Sequence, residues 1–242
     1  MSSQNADDLA AWQALSEREK AAKGFAWHGD LDDELTEARV RAKSLFQRYN
    51  AYPWPKYTGP GFSFSDQFGP DERKQLLADL FGISMEKMGH TFVEPPFFCD
   101  YGTNIEFGDA FYCNVNCCFL DGAKITFGDR CAVGPGVQIF AGTHSSDIGD
   151  DVWIGGGVQI LPGAVIGNGC TVAAGSVVRG SFPDNVVIGG VPARILKQLD
   201  APPPMGQPGS VVDKTDPKLR TPLPGMAGRD AESVGLVVGA SK

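Results

Sequence analysis

The stretch from Ser146 to Val178, SDIGDDVWIGGGVQILPGAVIGNGCTVAAGSVV, carries an aliphatic residue at every sixth position. These residues are Ile148, Ile154, Ile160, Ile166, Val172 and Val178, and two positions before them stand Ser146, Val152, Val158, Ala164, Cys170 and Ser176. A period of six matches neither the helical repeat of about 3.6 residues nor the alternation of a single strand. It is typical of a short strand and a corner, with three such units closing one triangular coil. We therefore predict stacked coils of parallel strands; an ordinary β-sandwich with accidental spacing is the alternative.

The same register continues towards the N-terminus, with two interruptions. Its inward positions there are Phe107, Cys113, Phe119, Phe127, Val133 and Ile139. The interval from Phe119 to Phe127 is eight residues, and the interval from Ile139 to Ile148 is nine. Extra residues in a coil must bulge outward at a corner, and outward loops are where sites are commonly built. The second bulge contains Gly142-Thr-His-Ser-Ser-Asp147.

The regions on either side of the repeat differ from it in composition. Residues 1 to about 90 read as an α-helical segment, with helix starts near Ser16, Asp30 and Pro70 and a Pro/Gly-rich break between the last two. Residues 200–242 are rich in proline and glycine and contain no aromatic residue, which is the composition of a disordered tail. We predict three parts: a helical segment over 1–90, a β-helix domain over 91–199, and the tail.

The overall charge limits the classes of partner. Asp and Glu exceed Lys and Arg by 29 to 21, so the chain carries a formal net charge of -8 and has no global basic field for nucleic acid or an anionic membrane. The N-terminal residues do not resemble a signal peptide, and no apolar run reaches the length of a membrane span. We expect a cytoplasmic protein whose anionic ligands, if any, bind in a local pocket.

The six cysteines are expected to be reduced thiols. Cys113, Cys117, Cys131 and Cys170 fall on inward positions of the repeat, where a small apolar side chain is required. No C-x-x-C motif occurs and no histidine adjoins these residues, so core packing is favoured over metal binding.

Several motifs, taken in order, resemble the maltose, galactoside and nodulation-type O-acetyltransferases. They are the hexapeptide run itself with Val93–Gly102, Asn114–Asn116, Leu120–Asp121, Thr143–His144, Val152–Gly157 and Gly189–Arg194. The resemblance covers roughly residues 13–199. It implies a left-handed parallel β-helix, a homotrimer with sites between subunits, acetyl-CoA as the donor co-substrate, no metal, and a sugar hydroxyl as the usual acceptor.

Acetyl transfer to an alcohol needs a base that takes the hydroxyl proton. It also needs a hydrogen-bond donor for the oxyanion that forms when the alcohol attacks the thioester carbonyl. Of the three histidines, only His144 lies on the bulge, and the resemblance implies that it is the base. The alternative is an ordinary surface histidine. We assign no catalytic role to His28 or His90.

The resemblance implies that Asn114 and Asp121 bind the acceptor, and Asp30 is a weaker third candidate. Asn and Asp also cap turns well, which is the alternative for the first two.

For the donor, the resemblance implies that Trp153, Gly155 and Ala174 border the thioester and pantetheine arm. It also makes the backbone N–H of Gly156 the candidate oxyanion donor, since glycine allows a close approach of the backbone.

Arg179, Arg194 and Lys197 lie near the end of the repeat, where the phosphates of CoA need cations. If they converge, an acidic protein can still bind this anionic donor. The alternative is that each is a solvated surface charge.

The chain departs from the family in one place. Family members usually follow the Thr-His pair with proline and a loop of some twenty residues, whereas here only Ser145, Ser146 and Asp147 separate His144 from Ile148. Two hypotheses follow: an acetyltransferase, with an amino-sugar acceptor not excluded, or a catalytically impaired trimer acting as a binding or structural protein. A zinc carbonic anhydrase is disfavoured because the repeat region contains a single histidine.

The composition of residues 200–242 generates a first prediction. Because this segment offers few residues that could bury apolar surface, its deletion should leave the thermal unfolding temperature within about 2 °C of the full chain. Differential scanning calorimetry of the two chains measures this, and a drop of 5 °C or more would show that the tail packs on the fold.

Overall fold

The computed structural model describes residues 10–23, 28 and 32–200. Asp30 and the segment 201–242, for which we predicted an acceptor contact and a disordered tail, lie outside the described residues. Its α-helices are α1 (Glu17–Ala22), α2 (Asp33–Asn50), α3 (Asp71–Phe81) and α4 (Met85–Met88), with a 3-10 helix over Ser65–Phe68. None of the helices in these ranges is long and apolar enough to cross a membrane.

The helices begin close to the predicted starts. Ser16 caps α1 reciprocally: its Oγ accepts from the Glu19 N–H at 3.2 Å, and its own N–H donates to Glu19 Oε2 at 2.9 Å. Asp32 caps α2 by accepting from the Leu35 N–H at 3.0 Å. Helix α3 follows Pro70, as expected for a residue that suits the start of a helix.

Three sheets of short strands form a parallel β-helix, which confirms the predicted fold class. The strands are numbered along the chain. Sheet A contains β1 (Thr91–Val93), β4 (Phe111–Cys113), β7 (Ala132–Val133), β10 (Trp153–Ile154), β13 (Thr171–Val172), β16 (Val186–Gly190) and β17 (Ala193–Gln198). Sheet B contains β2 (Phe97–Cys99), β5 (Cys117–Leu120), β8 (Gln138–Phe140), β11 (Gln159–Ile160) and β14 (Val177–Val178). Sheet C contains β3 (Ile105–Phe107), β6 (Ile125–Phe127), β9 (Ser146–Ile148), β12 (Val165–Ile166) and β15 (Ser181–Phe182).

The strands of each sheet pair in parallel, one coil above the next, and only β17 turns back to pair antiparallel with β16. Three columns of turns join the sheets. We call them the A–B corner (94–96, 114–116, 134–137, 155–158 and 173–176), the B–C corner (100–104, 121–124, 141–145, 161–164 and 179–180) and the C–A corner (108–110, 128–131, 149–152, 167–170 and 183–185). Both interruptions of the six-residue period fall on the B–C corner, at 121–124 and 141–145.

The inward positions predicted from the period are all buried. Every one of the eighteen named above, from Phe107 to Val178, is at most 4 % exposed. The cysteines Cys113, Cys117, Cys131 and Cys170 are buried among them as free thiols, so their predicted core packing is confirmed. The described ranges contain no group of three or more His, Cys, Asp or Glu side chains arranged to hold a metal ion.

The N-terminal helices close the open end of the β-helix. The first coils bury several phenylalanines, and Phe81 of α3 packs on two of them, Phe97 and Phe107, with ring centroids 5.7 and 4.8 Å apart. Tyr49 of α2 donates a hydrogen bond from its hydroxyl to the carbonyl of Val93. One hydrophobic core therefore runs from the helices into the coils.

A buried arginine lies within this helical segment. Arg73 of α3 is 0 % exposed, and its guanidinium carbon lies 4.9 Å from the ring centroid of Tyr49 and 4.6 Å from that of Trp54. None of its three guanidinium nitrogens has a hydrogen-bond partner in the described part of the chain. Two aromatic faces are thus what stabilises this charge.

The C–A corner is held by a ladder of side chains. The N–H groups of Asp109, Asp129, Asp150 and Asn168 each donate to the side-chain Oδ1 of the next member of the series, which ends at Asp184, over 2.7–2.9 Å. A glycine precedes each donor, at 108, 128, 149 and 167.

These glycines are required because adjacent coils touch there. A Cβ built on Gly128 would lie 2.6 Å from the backbone nitrogen of Asp150 and would overlap its Oδ1, so Gly128→Ala must push two coils apart. We expect the free energy of unfolding to fall by about 3 kcal/mol. Gly136→Ala is the matched control, since its Cβ would meet nothing within 4 Å and only the positive φ of +69° is strained, at about 1 kcal/mol. Urea denaturation compares the two, and equal losses would contradict close packing at this corner.

Candidate active site

His144 lies on the outward turn of the B–C corner. Its side chain is exposed, and its Nδ1 is 3.0 Å from the hydroxyl of Thr143. The carbonyl of Ser145 accepts from the N–H of Gly163 at 3.1 Å, which ties this turn to the next coil. The corner therefore presents an imidazole to solvent, with one hydroxyl beside it.

Three other candidates stack along the A–B corner. Asn114, Gly156 and Ala174 follow strands β4, β10 and β13, so they occupy the same edge of the β-helix in different coils. The N–H groups of Gly155 and Gly157 donate to carbonyls of the neighbouring coils at 2.8 Å. Within the described residues, the N–H groups of Gly156 and Ala174 donate to no backbone carbonyl. These two N–H groups are thus among the backbone donors of the corner that no carbonyl takes up.

Glycine at this corner again reflects close stacking of coils. A Cβ on Gly155 would lie 2.6 Å from the nitrogen of Ala174, and one on Gly134 would lie 2.6 Å from the nitrogen of Gly156. Asn114 uses its Oδ1 to accept from the N–H of Val115 at 2.8 Å, so its side chain caps the turn with one end.

His144 and the A–B corner candidates are not neighbours within one chain. Sheet B separates them: His144 follows the end of β8, whereas Gly156 precedes β11, the strand paired with β8. A strand and its flanking residues span roughly 15–20 Å. Proton transfer needs contact at about 3 Å, so one copy of the chain cannot bring its own His144 to its own Gly156.

Asp121 has an unexpected position. It is 0 % exposed, and its Oδ1 accepts from the N–H groups of Asp100 and Tyr101, both at 2.9 Å. Its Oδ2 has no partner among the described residues. Burial raises the pKa of this carboxyl to about 6, against the lowering effect of the two backbone hydrogen bonds. Asp121 therefore holds a turn of the B–C corner together and does not face solvent.

The candidate phosphate ligands lie at the C-terminal end of the β-helix. Arg179 and Arg194 line one open groove of about 740 Å³, together with Gly180, Ser181, Phe182, Ala193 and Ile195. Arg194 donates from its Nη1 to the carbonyl of Ala193 at 2.8 Å. Lys197 lies three residues further along β17 and is exposed. The structure thus brings two of the three predicted cations together.

Trp153 projects outward from sheet A on the strand that leads into Gly155 and Gly156. Its side chain is 58 % exposed, although it is one of the largest apolar residues of the chain.

Arg39 was not among the residues predicted from the sequence, although it forms an ion pair in this region. Its Nη2 lies 2.9 Å from Asp100 Oδ1, beside the turn that Asp121 holds. A signal was present, because Arg39 stands four residues after Leu35 and three before Ala42, on the face of α2 that is otherwise buried.

Comparison with known proteins agrees with this architecture. Residues 145–180 match the family model described as bacterial transferase hexapeptide (six repeats), and residues 27–83 match the maltose acetyltransferase hexapeptide capping motif. A putative acetyltransferase of Saccharomyces cerevisiae is 35% identical over 196 residues, covering 75% of this chain and 92% of the relative.

Two solved structures are similar over most of the chain. A maltose O-acetyltransferase from Clostridium difficile superimposes with a TM-score of 0.66 and 33% identity, covering 77% of this chain and 99% of the other. A hexapeptide-repeat acetyltransferase of Vibrio cholerae, complexed with acetyl coenzyme A, gives a TM-score of 0.62 and 34% identity, covering 77% and 100%.

Stacked six-residue units and a helical cap place the chain in the class of hexapeptide-repeat transferases. Within that class, the chain belongs to the acetyltransferase family of the maltose and galactoside O-acetyltransferases.

The burial of Asp121 generates a pH-dependent prediction. Because its pKa is raised on folding, the folded state binds this proton more tightly than the unfolded state, and the contribution to stability falls as pH rises from about 4 through about 6. Asp121→Asn removes the buried charge and keeps an oxygen for the two N–H groups. We expect the variant to gain about 2 kcal/mol over the parent at pH 8 and little at pH 4.

The matched variant Asp121→Ala leaves both backbone N–H groups unpaired and should lose about 2–4 kcal/mol at pH 4, and about 2 kcal/mol less than that at pH 8, where the parent also carries the cost of its buried charge. Urea denaturation at pH 4 and pH 8 gives the four differences. A pH-independent effect of Asp121→Asn would show that this carboxyl is not charged and buried at neutral pH.

Proposed function

We propose that the protein transfers the acetyl group of acetyl-CoA to a hydroxyl of a sugar or related small molecule, at a site between two copies of the chain. The observation that carries this proposal is the separation of the exposed His144 from the unused N–H groups of Gly156 and Ala174, on opposite edges of sheet B. When the B–C corner of one copy meets the A–B corner of the next, a base and an oxyanion donor face the same space.

Contact between two unlike corners is heterologous, and heterologous contacts form a ring when the rotation from one copy to the next closes. A ring of three copies agrees with the homotrimer that the resemblance implies, and each of its three junctions would hold one site.

His144 serves as the base in this scheme. Its exposed imidazole takes the proton of the acceptor hydroxyl while that oxygen attacks the thioester carbon, and the N–H of Gly156 stabilises the resulting oxyanion. Collapse of the intermediate breaks the carbon–sulfur bond, and the imidazolium returns its proton to the departing CoA thiolate. The products are the acetyl ester and free CoA.

The donor lies along the A–B corner in this proposal. Trp153 and Gly155 border the thioester, and Ala174, one coil on, offers its unused N–H to the pantetheine arm. Arg179 and Arg194, which share one groove, and Lys197 on β17 are the cations for the CoA phosphates. The shared groove of Arg179 and Arg194 compensates locally for the net charge of -8.

For the acceptor, Asn114 is the candidate hydrogen-bonding side chain, since it lies on the A–B corner and its Oδ1 alone is used by the turn. We propose a supporting role for Asp121, which shapes the turn beside the Arg39–Asp100 ion pair instead of touching the substrate. Asp30 stays a candidate from the resemblance.

A second candidate function follows from the loop after His144, which is shorter than in most members of the family. Only residues 141–145 form the turn that carries His144, and among the described residues the imidazole is held by a single hydroxyl, that of Thr143. A trimer in which this ring is poorly oriented would bind ligands and turn over slowly, as a catalytically impaired binding or structural protein. An amino-sugar acceptor would use the same chemistry as a hydroxyl.

Thiol release from acetyl-CoA, measured over a panel of sugars, amino sugars and small alcohols, tests the proposal. We expect acceptor-dependent release, and a loss of about 10³-fold in kcat/KM in His144→Ala with the KM for acetyl-CoA unchanged. His90→Ala is the matched control, because His90 is exposed and hydrogen-bonds Asp109 on the C–A corner. Unchanged turnover in His144→Ala would reject the base, and absence of release from a folded trimer would favour the impaired form.

A further inference from the structure

Two buried polar atoms at the B–C corner have no hydrogen-bond partner among the residues that the structure describes. They are Oδ2 of Asp121 and Oγ of Ser146, and both side chains are 0 % exposed. A buried polar oxygen without a partner destabilises the folded state, so a protein group or an enclosed water molecule usually supplies one. The two atoms therefore indicate a polar site inside this corner.

Other coils show that Ser146 is unusual for its position in the repeat. At the same inward position, the hydroxyl of Ser176 donates to the carbonyl of Ala173 at 2.6 Å and accepts from the N–H of Gly190 at 3.2 Å. Three thiols at this position lie 3.0–3.3 Å from carbonyl oxygens of the next coil, those of Cys117, Cys131 and Cys170. The described part of the fold uses these polar atoms, whereas it leaves the hydroxyl of Ser146 for another group.

Asp121 and Ser146 lie in successive coils, on the two sides of the corner. Asp121 follows the end of β5, and Ser146 begins β9, where it pairs with Ile125 of the preceding coil. The N–H of Ser146 donates to the carbonyl of Lys124 at 2.9 Å, so the two turns are joined through the backbone. Neighbouring coils are about 4.8 Å apart, and a water molecule with bonds of about 2.8 Å on either side spans up to about 5.6 Å. One water molecule is therefore of the right size to join the two oxygens.

Small side chains surround this polar site. Ala123, Ala141 and Ala164 are each at most 4 % exposed. The strand register places Ala141 beside Asp121 and Ala164 beside Ser146, each in the next coil. Methyl groups leave more room here than the isoleucines and valines that fill the coils elsewhere. Polar partners on two sides and a recess lined by methyl groups are the conditions under which a protein retains a buried water molecule.

The corner that contains this site is also the one that carries His144. Ser146 stands two residues beyond His144 and begins the strand that follows its turn. The imidazole is exposed, so its direction depends on how firmly the backbone of the turn is held. A bond from Ser146 towards Oδ2 of Asp121, whose Oδ1 already holds the N–H groups of Asp100 and Tyr101, would anchor that turn to the preceding coil.

We propose that Ser146 is a positioning residue for His144, acting through an enclosed water molecule that joins its hydroxyl to Oδ2 of Asp121. The inference rests on the proposed function, in which His144 is the base. The hydroxyl and the water molecule hold the turn from its inner side, so that the imidazole meets the acceptor hydroxyl in one orientation.

Ser146→Thr and Ser146→Val form a matched pair that tests the hydroxyl alone. Threonine and valine have nearly the same size and shape, and valine already occupies this buried inward position at Val137, Val152 and Val158. We expect kcat to stay within about 2-fold of the parent in Ser146→Thr and to fall about 10-fold in Ser146→Val, because a misplaced base slows the reaction. The KM values for acetyl-CoA and for the best acceptor of the thiol-release panel should not change.

An equal kcat in the two variants, or a changed KM with an unchanged kcat, would overturn the positioning role. Should Ser146→Val fail to fold, Ser146→Ala removes the hydroxyl without adding volume, and its kcat is compared with that of the parent.

Crystal structures of the parent and the two variants test the inference without reference to activity. We expect one ordered water molecule within about 3.2 Å of both Asp121 Oδ2 and Ser146 Oγ in the parent. The water should persist in Ser146→Thr and lose its place in Ser146→Val, and the imidazole of His144 should have one orientation in the first variant and several in the second.

The outcomes separate this inference from the proposed function. A parent corner without the water molecule, or the same order of His144 in all three structures, would overturn the inference and leave the transferase in place. If no acceptor supports thiol release, the transferase fails, and the order of His144 in the three structures alone decides whether Ser146 positions it.

Discussion

Exact stacking of coils is the constraint on which the rest of the structure depends. Each strand hydrogen-bonds to the strands one coil above and below, so every coil must return to the same position after three corners. At the C–A corner this leaves no room for a Cβ at Gly108, Gly128, Gly149 or Gly167, and side-chain oxygens of the next coil take up the backbone N–H groups. Length can vary only where added residues point away from the stack. Both insertions fall on the B–C corner, and His144 lies on the longer of them.

This constraint explains how much of the fold could be predicted from the sequence. A shift by one residue would turn every inward side chain outward, so the positions from Phe107 to Val178 are fixed by the period alone, including the inward cysteines. The helix starts followed from capping residues whose hydrogen bonds are local. The exposure of His144 followed from the extra residues around it. Features that depend on one chain segment meeting another were harder, as Arg39 shows: its partner Asp100 lies in a different element.

The same distinction between local features and features that depend on distant segments applies to the candidate site. Residue type and motif could place His144, Asn114 and Gly156 on outward turns. They could not tell on which of the three corners each turn lies, and so not which of these residues are neighbours. Asp121 shows a second limit, since an aspartate that faces a ligand and one that accepts two backbone N–H groups look alike in sequence. Because sheet B separates the base from the oxyanion donor, the chemistry depends on contact between copies. The geometry of that contact, rather than the geometry of one chain, then determines how well the imidazole is oriented.

The buried Arg73 has a consequence for the helical cap at different temperatures. Its guanidinium has no hydrogen-bond partner among the described residues, so the rings of Tyr49 and Trp54 must compensate for its lost hydration. The hydration of a charged group becomes less favourable on warming, which makes its burial less costly in the heat. Burial of apolar surface, by contrast, stabilises less on cooling. Both effects make the packing of α2 and α3 around Arg73 weakest in the cold, so that this end of the β-helix is where cold would first loosen the fold.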